Sequence, residues 1–556
     1  MPPLRYGRAC PASRLPSCAG LSRPVPRIHV FARKQADPML DDLLHRRPYN
    51  AAADFVDANV AAGRGRKIAF TDGMRSLTYT DLQEGSYRFA TALRELGLRE
   101  ENRVILILHD TVDYPVAFWG AIRAGIVPIP LNTLLTAEQY AYLFTDSRAA
   151  AAVVAAPLAR TVLSIRDRLP HLRIVIVAGA TAQDNDSFSD SDNDNDKAEL
   201  RDVLSLDDIL RAVKPSPFTA PTVSDEVAFW MYTSGSTGDP KAVKHVHTSP
   251  MASARLMGQG VIGIREDDVA FSAAKLSFSY GLGNAVFFPM SVGASAVLLP
   301  QRPTPQAVLA AIRRHQPTIF YAVPSLYAAL LAQPDIGSGA GSDRLRLCIS
   351  AGEALPAELG QRWRATVGVD VLDGIGSTEM LQTFISNRPD DVRYGSTGRP
   401  VPGYEVKIVD EHGEEVVAGE IGELVVRGPT AAEGYWNQRA KNRRTFAGEW
   451  TYTGDKYVCD HDGYYHYCGR TDDMFKVNGM WVSPFEVEAA LVSHEAVLEA
   501  AVIGRTDGDG LIKPKAFIVL KNGYCADDEL LERLRLHVKE RAGPWKYPRW
   551  IDIRPD

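Results

Sequence analysis

The chain has 556 residues, 45% hydrophobic and 23% charged, with a formal net charge of −6. It is long enough for two or more cores, and its charge leaves no basic footprint for nucleic acid or an anionic membrane. Six cysteines without C-x-x-C spacing argue against a zinc site or a disulfide framework and for a reducing, cytoplasmic setting; no apolar run approaches the ~20 residues that span a bilayer.

Residues 1–36 hold seven Lys/Arg, six prolines and no acid. Transit peptides are similarly basic, but prolines break the amphipathic helix that such peptides form. Residues 1–45 are therefore read as a disordered extension, or as the product of a start codon set too far upstream. From residue 49 helical and extended patterns alternate. Residues 50–62 read as helix, 76–80 as extended, 80–96 as helix with Thr80 as its N-cap, and 103–108 as a buried strand. Later apolar runs at 174–177, 296–299, 318–321 and 345–349 are separated by helical patterns such as 304–315, which predicts parallel sheets in an α/β fold. Residues 183–199 carry seven acids against Lys197 and read as a solvated low-complexity loop. A calcium loop starting at Asp190 fails there, because Asn195 replaces the turn glycine and Arg201 the closing glutamate.

The stretch 232–241, YTSGSTGDPK, has the composition of a loop that wraps phosphate oxygens. Ser234, Ser236 and Thr237 supply hydroxyl donors beside Thr233. Gly235 and Gly238 let backbone N–H groups approach an anion, and Lys241 adds a point charge. It follows a predicted buried strand at 227–232, so the loop is expected at the carboxyl end of a strand in a parallel sheet, where α/β folds bind ligands. Neither Walker A nor dinucleotide spacing is present. A shorter fragment would pass for an ordinary Gly/Ser loop; ten residues in this order resemble the phosphate loop of the adenylate-forming superfamily, which includes acyl- and aryl-CoA ligases, peptide-synthetase adenylation domains and luciferases. Ala242 stands where that family usually has Gly.

The resemblance implies a large N-terminal domain (46–471) of two α/β subdomains plus a small β subdomain, and a smaller mobile α+β lid (472–556), here truncated. It implies purine contacts from Gly352, Glu353 and Ala354, and from Asp373, Gly374, Ile375, Gly376 and Ser377. Thr378 would touch the α-phosphate and Glu379 would hold Mg²⁺. On their residues alone these are turns and a helix N-terminal acid. Asp455 and Arg470 would contact the nucleotide sugar, a role suited to a carboxylate and a planar fork of donors. Asp472 matches the family hinge. Lys476 opens the loop that would line the pantetheine tunnel, where Gly479 lets backbone pass close to the thiol arm.

Several segments resemble benzoate-CoA ligases in particular, among them 273–284, 397–403, 482–488 and 546–549. The aryl pocket maps onto Ser279, Tyr280, Gly376, Gln382, Thr383 and Lys476. Ser279, Gln382 and Thr383 depart from the family's Ala, His and Ile, and each adds hydrogen-bonding capacity, which points to a hydroxy- or amino-substituted benzoate. The implied reaction consumes ATP, with Mg²⁺, and coenzyme A, and passes through an acyl-adenylate; a homodimer is compatible with it. The family lysine that bridges carboxylate and phosphate belongs to an element after 546–549, and the sequence stops at Asp556. Weak adenylation with a surviving thioester half-reaction is the corresponding expectation. The alternatives are an adenylating enzyme for a carrier protein, or a catalytically impaired nucleotide or aryl-acid binder.

Overall fold

The computed structural model describes residues 42–179, 203–235, 238–477, 480–508 and 511–555. The basic extension through residue 41 and the acidic stretch 183–199 lie outside the described residues.

Two parallel sheets carry the N-terminal region. One has five strands in the order Val127–Pro130, Arg103–Ile107, Ala151–Ala155, Ile174–Ala178, Val203–Ser205, all parallel. The other has nine, with a parallel centre running Val371–Gly376, Leu347–Ser350, Ile319–Ala322, Val269–Ser272, Ser295–Val297, Ile68–Thr71. Its strands Ile319–Ala322 and Leu347–Ser350 are largely apolar and buried at every position, as expected for strands covered by helices on each side. Antiparallel additions close both edges: Ser76–Thr78 at one, Thr383–Ser386 and Arg399–Pro400 at the other.

The helix predicted from Thr80 runs Tyr79–Glu95, and its N-cap is Thr78. Thr78 is extended, its Oγ1 accepts from the Asp81 N–H at 3.1 Å, and Asp81 Oδ2 accepts from the Thr78 N–H at 2.9 Å. Thr78 with Asp81 and Thr80 with Gln83 both have the spacing of a reciprocal box, and the one formed is that of Thr78, two residues upstream.

The phosphate stretch departs from expectation. Val227–Gly235 belongs to neither parallel sheet; it pairs antiparallel with Gly238–Val246 in a two-stranded ribbon, with Thr233 opposite Lys241 and Gly235 opposite Gly238. Only residues 236 and 237, outside the described residues, separate the two strands, and an interval that short with glycine on either side favours an antiparallel hairpin over a longer loop.

A five-stranded antiparallel sheet follows, built from Glu405–Val409, Ile421–Arg427, Trp450–Cys459, Phe446–Ala447 and Tyr465–Arg470. Beyond the exposed Asp472 comes a further core. There helices Pro484–Val492 and Asp528–Ala542 pack Val487, Leu491, Leu530, Leu534 and Val538 against strands Val497–Thr506, Ile512–Leu520 and Trp550–Arg554. Lys546 Nζ is bonded to Glu486 at 2.5 Å, a brace inside this unit. The four described cysteines are free, and no described helix is long and apolar enough to cross a membrane.

Candidate active site

A cavity of about 1150 Å³ opens at the carboxyl ends of the central parallel strands, roofed by the ribbon and the antiparallel sheet. Its wall gathers most of the residues singled out from the sequence: Thr233, Lys241, Ser279, Tyr280, Gly352 through Ala354, Asp373 through Glu379, Gln382, Thr383, Asp455, Arg470 and Asp472. Ser236, Thr237 and Gly479 lie outside the described residues. Ser234, Gly235, Gly238 and Lys476 are described in backbone only, with Lys476 opposite Trp481 in a short hairpin.

At the mouth, Lys241 Nζ stands 3.4 Å from Tyr435 Oη and 4.4 Å above its ring, and Tyr435 donates to Glu379 Oε1 at 2.7 Å. Burial lowers the Lys241 pKa, Glu379 opposes that shift, and Lys441 and Arg470 reinforce it. Arg470 and Asp455 are cross-strand partners bonded at 2.8 Å. Burial raises the Asp455 pKa against the opposing pull of Arg470.

The Thr378-Glu379-Met380 turn is fixed through three successive carbonyls. His245 Nε2 donates to that of Thr378 at 2.8 Å, the Ala432 N–H to that of Glu379 at 2.9 Å, and Thr430 Oγ1 to that of Met380 at 2.7 Å. The first bond sets the His245 tautomer, because a carbonyl can only accept. Burial pushes the His245 pKa down to about 4, so the ring stays neutral around pH 7. His245 and Tyr435 are absent from the sequence reading. His245 carried a signal, since a residue four after Lys241 lies on the same face of a strand; Tyr435 carried none.

The floor is built differently. Tyr280 Oη donates to the Ile349 carbonyl at 3.1 Å, and its ring meets Tyr321 edge-on at 6.5 Å. Gln382 is 3% exposed; its Nε2 donates to the Ser279 carbonyl at 2.9 Å and the Tyr280 carbonyl at 3.1 Å, and its Oε1 accepts from the Thr383 N–H and hydroxyl at 3.2 and 3.4 Å. A Cβ on Gly283 would stand 2.1 Å from that Nε2, so glycine there is what lets the amide cross the floor. The capacity that Gln382 and Thr383 add is thus spent inside the protein. Ser279 Oγ makes no hydrogen bond among the described residues. Glu353 turns its carboxylate to Ser325 at 3.1 Å, capping the helix Pro324–Leu331, while the backbone around it lines the cavity.

Residues 57–436 match the AMP-binding enzyme family and residues 486–556 the AMP-binding enzyme C-terminal domain. The chain belongs to the AMP-binding enzyme family. It is 52% identical to the 4-hydroxybenzoate–CoA/benzoate–CoA ligase of Rhodopseudomonas palustris over 92% of this chain and 91% of that one. It is 50% identical to the benzoate–CoA ligase of Thauera aromatica over 91% and 93%. Among solved structures, a benzoate CoA ligase from Burkholderia xenovorans LB400 superposes with a TM-score of 0.82 at 44% identity, covering 91% of this chain and 96% of that one.

Proposed function

We propose that the chain joins an aromatic carboxylic acid, benzoate or a hydroxy- or aminobenzoate, to coenzyme A at the expense of ATP. The reaction runs through an acyl-adenylate and releases pyrophosphate and then AMP. The observation that carries this reading is one continuous cavity with a tyrosine-walled floor at one end and Lys241, Glu379, Asp455 and Arg470 at the other. The half-identical ligases of benzoate and 4-hydroxybenzoate support the same substrate class.

In this reading the aryl ring lies against Tyr280 with Ser279, Gly376, Gln382, Thr383 and Lys476 around it. Gly352 to Ala354 and Asp373 to Ser377 frame the purine, and Asp455 and Arg470 hold the ribose. The stretch 233–238 and Lys241 take the phosphates, and Thr378 touches the α-phosphate. Such chemistry consists mostly of positioning and charge stabilisation, which the three-carbonyl anchoring of the Thr378 turn serves. Glu379 fits a Mg²⁺ shared with the nucleotide: it offers a single carboxylate, and among the described residues no group of three or more His, Cys, Asp or Glu gathers to hold an ion by protein ligands alone. When bound, the ion would neutralise phosphate charge. Asp472 marks the hinge between domains 46–471 and 472–556, and Gly479 lines the thiol path. ATP, CoA and the described free thiols all fit a cytoplasmic enzyme.

The test is chromatographic. With benzoate, ATP, Mg²⁺ and CoA, or with benzoyl-AMP and CoA alone, benzoyl-CoA and AMP are the expected products. ADP as product, or no thioester from supplied benzoyl-AMP, overturns the reading.

A further inference from the structure

We propose that Lys441 and Arg444, on the short helix at the cavity mouth, bind the β- and γ-phosphates of ATP and the pyrophosphate that leaves; this rests on the reading above.

The helix Arg439–Thr445 (RAKNRRT) has four basic residues, but they face different ways. Lys441 and Arg444, three apart and so on one side, line the main cavity. Arg443 lines a separate groove of about 620 Å³ with Arg427 and Trp450. The helix is held in place by the residue that organises the mouth. Asn442 Oδ1 accepts from the Tyr435 N–H at 2.7 Å, Asn442 Nδ2 donates to the Tyr435 carbonyl at 2.9 Å, and the Tyr435 ring packs on Phe446 at 5.2 Å. Tyr435 also touches Lys241 and Glu379. The two cations therefore stand at a fixed place relative to the phosphate-loop lysine.

The charges at the mouth are unevenly matched. Arg470 is neutralised by Asp455, whereas among the described residues neither Lys441 nor Arg444 makes an ion pair. Lys441 is close enough to Lys241 for the two to repel. Glu379 offsets part of the charge of Lys241, but Lys441 and Arg444 have no carboxylate paired with them among the described residues, and a polyanion would supply the opposing charge. AMP reaches the site with one phosphate, which Lys241 and Thr378 would engage; triphosphate brings two more toward the rim. In the adenylation step a carboxylate oxygen bonds to the α-phosphorus, the bond from that phosphorus to the bridging oxygen breaks, and its electron pair departs on pyrophosphate. Cations placed at the rim meet the charge as it grows there.

The experiment compares two double variants of equal charge change, Lys441→Gln with Arg444→Gln and Arg439→Gln with Arg443→Gln, by calorimetric titration with ATP, AMP and inorganic pyrophosphate in Mg²⁺. The rim pair is expected to weaken ATP and pyrophosphate about tenfold or more while AMP stays within about twofold, as for lost charge-assisted contacts. The control pair is expected to leave all three within about twofold, and Lys441→Arg to retain ATP binding. Equal losses for ATP and AMP, or equal losses from both pairs, overturn the proposal. A parent chain that binds neither ATP nor AMP overturns the functional reading on which it rests, and is told apart by failing before any substitution is made.

Discussion

The two ends of the cavity handle polar groups in opposite ways. At the floor, Tyr280 and Gln382 spend their hydrogen bonds on backbone carbonyls and on Thr383, so what faces a ligand is mainly shape. At the mouth, Lys441 and Arg444 have no ion pair among the described residues, and Lys241 shares one tyrosine with Glu379, so what faces a ligand is charge. A satisfied polar floor is rigid and costs stability when disturbed; an unsatisfied charged mouth costs affinity. Substitutions at the two ends should therefore fail in different assays.

The largest expected effect lies at the mouth. Asp455→Asn removes the charge that pairs with Arg470 and, in the proposed reading, weakens two charge-assisted bonds to ribose, so AMP affinity should drop about 10²–10⁴-fold at roughly 1.5–3 kcal/mol per bond. Titration with AMP measures it. Unchanged AMP binding with weakened benzoate binding would reverse the division between the two ends.

His245 provides the next test, through pH. Its folded pKa, about 4, lies below the ordinary value near 6.5, so the unfolded chain takes up the proton first. The stability that this histidine contributes is complete above pH 6.5 and is lost as pH falls toward 4, at up to about 1.4 kcal/mol per unit. Denaturant unfolding of His245→Gln, which keeps a donor toward the Thr378 carbonyl, should show a shallower loss across that window. Parallel pH curves for the two chains would mean that His245 titrates in the fold as it does in the unfolded chain.

How much of this was legible in the sequence depended on whether the deciding partner was near in the chain. Strands such as Ile174–Ala178 and Ile319–Ala322 announced themselves by uninterrupted apolar runs. The N-cap lies two residues before the predicted one, because Thr78 and Thr80 each have a box partner three residues on, Asp81 and Gln83, and spacing alone does not choose between them. The ribbon Val227–Gly235 looked like one more buried strand, since an apolar run does not say whether its neighbour runs parallel or antiparallel. Site residues were legible where glycine, hydroxyl and acid cluster in order, as at 373–379. Tyr435 was not, because its role comes from three contacts across the fold. Gln382 showed its donors but not who receives them, and so looked like spare capacity for a ring substituent.

That last point sets the third prediction. Gln382→Leu takes the amide donor from the Ser279 and Tyr280 carbonyls, which keep the Gly283 N–H, and leaves Thr383 without its acceptor, which should cost about 1–2 kcal/mol in denaturant unfolding. It should raise KM for the aromatic acid while leaving ATP affinity unchanged. A loss confined to substituted acids, with full stability, would instead make Gln382 a direct ligand of the substituent.

Ser279 offers the smallest and most specific effect. It lines the cavity, and its hydroxyl makes no hydrogen bond among the described residues, so of the three departures at the floor it is the one with a donor left to give. Loss of one hydrogen bond to a hydroxy- or aminobenzoate is worth about 0.5–1.5 kcal/mol. Ser279→Ala should therefore lower kcat/KM for the substituted acid about three- to tenfold and leave unsubstituted benzoate unchanged or slightly better, because a serine facing a bare ring has no partner. The ratio of the two rates is the readout, since it cancels any change common to both acids. An unmoved ratio would return the choice of acid entirely to the shape set by Tyr280 and Gln382.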